Sequence, residues 1–87
     1  MLIYEKDLPY RITSRYDFAY AYNERAGAKI KSQDYQGAIK DYQKALSYND
    51  TLALIYNNLG YAYIQVADYQ KAVKNFTRAI NLQPDYV

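Results

Sequence analysis

Sliding the 87-residue chain against itself by 34 residues lays residues 19–52 over 53–86, with roughly a third of the pairs identical. A chain with such a period folds as stacked copies of one supersecondary unit, each burying an apolar face on the next. Agreement is closest in the second half of each copy. There Asp34-Tyr35-Gln36-Gly37-Ala38-Ile39-Lys40-Asp41-Tyr42-Gln43-Lys44-Ala45-Leu46 lies over Asp68-Tyr69-Gln70-Lys71-Ala72-Val73-Lys74-Asn75-Phe76-Thr77-Arg78-Ala79-Ile80, and most mismatches are conservative. Tyr35, Ala38, Ile39, Tyr42, Ala45 and Leu46 recur at steps of three and one, which puts them on one stripe of a 3.6-residue helix. Tyr69, Ala72, Val73, Phe76, Ala79 and Ile80 do the same. Upstream, Tyr56, Leu59, Tyr63 and Val66 mark another amphipathic helix, with Gly60 and Ala62 leaving room for a close neighbour. Each copy therefore reads as two helices. Four are expected, at about 14–32, 35–47, 52–66 and 69–82.

The boundaries carry their own chemistry. Asp34 and Asp68 precede the second helix of each pair and can accept from its free N–H groups. Asp50-Thr51 offers the same start signal to the third helix, and Pro84 is placed to end the fourth because it lacks an N–H. Ser14-x-x-Asp17 resembles a capping box opening the first. Residues 1–13 do not continue the period, since Tyr4 falls where Ala38 and Ala72 sit and Pro9 falls inside a helix. They read as an N-terminal arm or as an unstructured tail.

Composition removes most alternatives. At 10.2 kDa there is room for one core. The chain is 51% hydrophobic and 23% charged, the balance of an ordered globular domain. With no Cys and no His it lacks disulfides, thiolates and imidazole, so neither a metal nor a cofactor is expected. The carboxylates are dispersed with no apolar setting to raise a pKa, and Gly27, Gly37 and Gly60 lie far apart inside helices and form no phosphate loop. No catalysis is expected. A net charge of +2 is too small to argue for nucleic acid. The start Met1-Leu2-Ile3-Tyr4-Glu5-Lys6-Asp7 is neither a leader nor an anchor, so a soluble, cytoplasmic protein is the expectation. Thirteen Tyr and no Trp suit half-buried helix faces and interfaces alike.

The period and these residues resemble the tetratricopeptide repeat, whose pattern sets an aromatic, Leu-Gly, an aromatic, Ala, an aromatic, Ala and Pro over 34 residues. In residues 53–87, Tyr56, Leu59-Gly60, Tyr63, Ala72, Phe76, Ala79 and Pro84 fill every signature position. Residues 14–52 look like a degenerate copy. They keep Tyr22, Ala38, Tyr42 and Ala45 but have Arg25-Ala26, Lys29 and Asp50 at the other places. The resemblance implies an all-α fold of two helix-turn-helix repeats stacked as a short α-solenoid. It leaves Arg25 and Lys29 on the water-facing side of an end repeat, or as a basic binding spot.

The resemblance also implies a function: the first helix of each pair lines a concave groove that receives a peptide or a partner protein, in a non-catalytic scaffold. By position this points to Tyr20, Asn23, Gly27, Ile30 and Lys31, then Leu54, Asn57, Tyr61, Ile64 and Gln65. Asn23 and Asn57 coincide across the period and can bond a peptide backbone, or are plain solvent-facing residues. Tyr20, Tyr61, Ile30 and Ile64 would give apolar contact, and Lys31 could meet an acidic group. Family members that clamp the carboxylate of a chaperone tail use other residues, so that ligand is not expected here. The resemblance further implies a covering helix beyond the last one, which leaves Phe76, Ala79, Ile80 and Leu82 as an edge for a second copy, the arm, or a continuation of the chain. The alternative function is RNA binding by a basic convex face of Lys40, Lys44, Lys71, Lys74 and Arg78, a row interrupted by Asp41 and Asn75.

Overall fold

The computed structural model describes residues 14–83. They form four α-helices: α1 (Arg15–Lys31), α2 (Tyr35–Tyr48), α3 (Ala53–Gln65) and α4 (Tyr69–Leu82). These pack in chain order, α1 on α2, α2 on α3 and α3 on α4. No described helix is long and apolar enough to cross a membrane. Pro84 and residues 1–13 lie outside the described residues.

The core forms where the small residues of the stripes let helices approach. Ala19, Ala26, Ala38, Ala45, Ala62 and Ala72 are all buried, with Ile39, Tyr42, Ile55, Leu59 and Tyr63 filling the space between them. A second cluster of Ala53, Tyr56 and Ala79, backed by Leu46, joins α2, α3 and α4. At Gly60 the two helices α3 and α4 come close: a Cβ there would stand 2.7 Å from the Phe76 ring. Each large side chain removed from water in this way stabilises the stack by about 1.5–3 kcal/mol.

Helix ends follow the sequence signals in part. Asp34 Oδ1 accepts from Gly37 N at 2.9 Å and Asp68 Oδ1 from Lys71 N at 3.3 Å. Ser14 Oγ accepts from Asp17 N at 3.0 Å. Asp50-Thr51 does not cap α3. The N-cap there is Leu52, with no side-chain bond, because Thr51 is held back by Asn49 Oδ1 and the Asp50 carbonyl accepts from the Tyr56 hydroxyl. Both hairpin turns instead share a feature with no glycine to signal it. Gln33 and Ala67, one period apart, adopt φ of 65° and 63°. Gln33 N donates to Ile30 O and Asp34 N to Lys29 O, and Ala67 N and Asp68 N repeat the pair on Ile64 O and Tyr63 O. This crossed pair of bonds closes a helix C-terminus through one left-handed residue.

The first hairpin differs from expectation at its centre. Arg25 and Lys29 do not simply face water, nor do they form a free basic spot, and Asp41 is not part of the solvated convex row. Asp41 is 4% exposed. Arg25 Nε and Nη2 donate to its two carboxylate oxygens at 2.8 and 2.9 Å, and Lys29 Nζ lies 3.0 Å from Oδ2. The fork geometry of a guanidinium matches a carboxylate, so this bond ties α1 to α2 with direction as well as charge. Arg25 first, and Lys29 after it, hold the Asp41 carboxyl below the usual carboxylate range despite its burial, and Asp41 raises the guanidinium in turn. One period later the three positions carry Leu59, Tyr63 and Asn75. At the other end of this hairpin Arg15 donates to the Ser47 and Tyr48 carbonyls at the end of α2, beside a stack of Phe18 and Tyr22 on Tyr48.

Candidate functional site

α3 shows how the packing leaves one face over. Ile55, Leu59, Ala62 and Tyr63 turn into the core, while Leu54, Asn57, Tyr61, Ile64 and Gln65 recur at steps of three, four, three and one on the remaining third of the helix. Leu54, Tyr61 and Ile64 are exposed large apolar side chains there, and Asn57 is half-buried. The matching row of α1 has Tyr20 exposed, Ile30 half-buried against the core and Lys31 exposed. The two rows lie side by side, because Asn58 Nδ2 donates to Asn23 Oδ1 across the α1–α3 seam at 3.3 Å.

That bond changes the standing of one expected residue. Asn23 is 6% exposed and its oxygen accepts from Asn58, so it is not a solvent-facing amide and is more deeply buried than the half-buried Asn57. The physical cause is position: Asn23 sits at the seam between two helices, whereas no further described helix lies against the equivalent side of α3. The period alone made the two look alike.

Two recesses open along the seam and share Asn23. The first, about 230 Å³, brings together Tyr20, Asn23 and Leu54 of the expected row with Tyr16, Thr51 and Gln83. The second, about 410 Å³, brings Asn23, Gly27 and Lys31 together with Glu24, Tyr42 and Asn58. Ile30, Asn57, Tyr61, Ile64 and Gln65 line neither. Burial, and secondarily Glu24, raises the Tyr42 phenol above its ordinary value and keeps it neutral at the side of the second recess. Of the residues that sequence reasoning missed, Tyr16 carried a signal as the residue four before Tyr20. It precedes the span 19–52 that aligns with 53–86, so the 34-residue comparison passed over it. Asn58 and Gln83 carried none.

The family model described as "TPR repeat" matches residues 27–66, and that described as "Tetratricopeptide repeat" matches 53–86. Together they run from the middle of α1 to beyond α4, in the register of the helices above. The chain belongs to the tetratricopeptide repeat family. The part of α1 before residue 27, with Arg25 and the start of the Asn23 seam, lies outside both matches, which agrees with the degenerate character of the first copy. Tetratricopeptide repeats generally mediate protein–protein interaction, and their proteins are generally non-catalytic scaffolds. No curated protein matches the chain.

The α4 edge of this tetratricopeptide pair needs a correction. Ala79 is fully buried against Ala53 and Tyr56, and Phe76 packs on the core over Gly60, so both are covered within the chain. Ile80 and Leu82 are exposed, but Leu82 points away from Ile80 by helical spacing. The stripe left open is Tyr69, Val73 and Ile80, with the first two 62% and 63% exposed. The cations of α2 and α4 are drawn over neighbouring rings: Lys44 on Tyr48, Lys71 on Tyr63 and Arg78 on Tyr56.

Proposed function

We propose that this protein is a non-catalytic assembly module that holds a peptide or partner protein against the α1/α3 face, the concave face of the pair. The observation that carries this reading is the row of Tyr20, Leu54, Tyr61 and Ile64, large exposed apolar side chains on a face that no described helix covers. Singly exposed apolar residues are ordinary, but a contiguous patch flanked by amides marks a recognition surface. Asn57 and Gln65 supply donors and acceptors for a backbone, and Lys31 supplies a positive charge at the far end.

The test is affinity capture with three forms of the chain. A partner retained by the native form and by Lys40→Glu/Lys74→Glu, but lost on Tyr61→Asp/Ile64→Asp, supports the concave face. Loss on the convex pair alone, with binding that weakens steeply between low and moderate salt, supports RNA on the basic face instead. A contact built on Tyr, Ile and Asn changes little over the same salt range.

We also propose that two copies associate through α4. Tyr69, Val73 and Ile80 form the one apolar stripe of that helix that its own hairpin does not use. Sedimentation at micromolar concentration and below tests it, and a concentration-independent monomer overturns it.

A further inference from the structure

Resting on the concave-face reading, we infer that the recess at the start of α1 and α3 is an anchor pocket. It takes one large, uncharged apolar side chain of an extended peptide and holds that peptide's main chain beside it. Tyr16 and Tyr20 lie one turn apart on α1 and face Leu54 of α3 across a hollow of about 230 Å³. All three are exposed, so the hollow has apolar walls that are not spent on the core. None of the nine described residues around it carries a charge, in a chain that is 23% charged. A carboxylate or ammonium brought here would lose its water and meet no counter-charge from these residues, whereas an aliphatic or aromatic side chain loses nothing.

The polar groups present suit a main chain. Asn23 is buried, gives its oxygen to Asn58, and its Nδ2 makes no hydrogen bond among the described residues. α3 starts at Leu52 without a side-chain cap, and the Ala53 and Leu54 N–H groups likewise have no partner among the described residues. Uncapped N–H groups at a helix start await an acceptor, and a peptide carbonyl is a neutral one. From Tyr20 to Lys31 the seam runs about 16 Å, at 1.5 Å per residue of helix. An extended chain covers that length in about five residues. A ligand anchored in the first recess therefore passes along the second and reaches Lys31.

The experiment selects peptides of about twelve residues from a random displayed library on the intact chain, then measures each recovered peptide against variants. The expected result is a shared Leu, Met, Phe or Tyr whose replacement by Glu weakens binding by roughly tenfold or more. The same loss is expected for Leu54→Asp, with an unchanged urea midpoint because Leu54 is exposed. Peptides that ignore Leu54→Asp but are lost on Tyr61→Asp/Ile64→Asp overturn the anchor pocket and leave the concave face standing. Peptides whose required residue is charged also overturn the pocket. Recovery of no peptide overturns both. Removing residues 84–87 is the remaining arm: binding that appears only then shows that the pocket's occupant is the chain's own end, which overturns the proposal as well.

Discussion

At the scale of single residues, chemically identical substitutions have opposite expected effects, because what surrounds them differs. Gly27 and Gly60 both sit inside helices, where alanine is the better former by about 1 kcal/mol. A Cβ at Gly27 meets nothing within 4 Å, so Gly27→Ala should raise stability by about 0.5–1 kcal/mol. At Gly60 the new atom runs into the Phe76 ring, and Gly60→Ala should lower stability by roughly 1–3 kcal/mol as α3 and α4 are pushed apart. Urea midpoints of the two variants check both signs. Asp41 makes the second residue-scale case. Its folded pKa is depressed by Arg25 and Lys29, so its contribution to stability is fully present above the unfolded value of about 3.9. That contribution fades as pH falls through the lower folded value. Asp41→Asn should therefore be less stable than the native chain at pH 7, and the gap should narrow below about pH 4. A gap that persists unchanged in acid would show that the bond's charge is not what ties the hairpin.

At the scale of helices and turns, what the sequence made legible and what it hid have separate causes. Four helices and their stripes were readable because alanine and aromatic spacing within each copy repeats the same 3.6-residue pattern, and Asp34 and Asp68 announce the starts of α2 and α4. The exposure of Leu54, Tyr61 and Ile64 on one side of α3 followed from register alone. Three things were hidden. Asp41 read as a surface interruption because a buried carboxylate is visible only once Arg25 and Lys29 are known to reach it from another helix. Asn23 read like Asn57 because the seam that buries it belongs to the stack and not to either copy. The left-handed turn residues were silent because Gln33 and Ala67 stand where glycine usually marks the conformation. That last mismatch gives a prediction at this scale. A non-glycine residue at positive φ costs about 1–2 kcal/mol, set against the larger freedom glycine has in the unfolded chain. Gln33→Gly and Ala67→Gly should each stabilise the fold by up to about 1 kcal/mol, additively, since the turns share no partners. Thermal denaturation of the single and double variants measures it.

At the scale of the whole molecule, the two ends of the stack are chemically unlike, and that difference determines how copies can meet. Arg25 and Lys29 occupy positions whose counterparts in α3, Leu59 and Tyr63, are buried, and on α1 they are drawn onto Asp41. The α4 end presents Tyr69, Val73 and Ile80. Head-to-tail stacking would lay the apolar stripe over the ion cluster, stripping water from the Arg25 and Lys29 charges for no new partner. Edge-to-edge stacking about a two-fold axis lays the stripe on itself, and such a contact closes at two copies because it uses the same patch of both molecules. The native chain should therefore show a mass that rises with concentration to that of a dimer and no further. Val73→Asp, at an exposed position, should hold it at the monomer with helix content retained, while Arg25→Ala should leave the dimer intact. Growth beyond two copies, or a dimer that survives Val73→Asp, would mean that the ends meet in some other way and that the ion cluster does not set the direction of assembly.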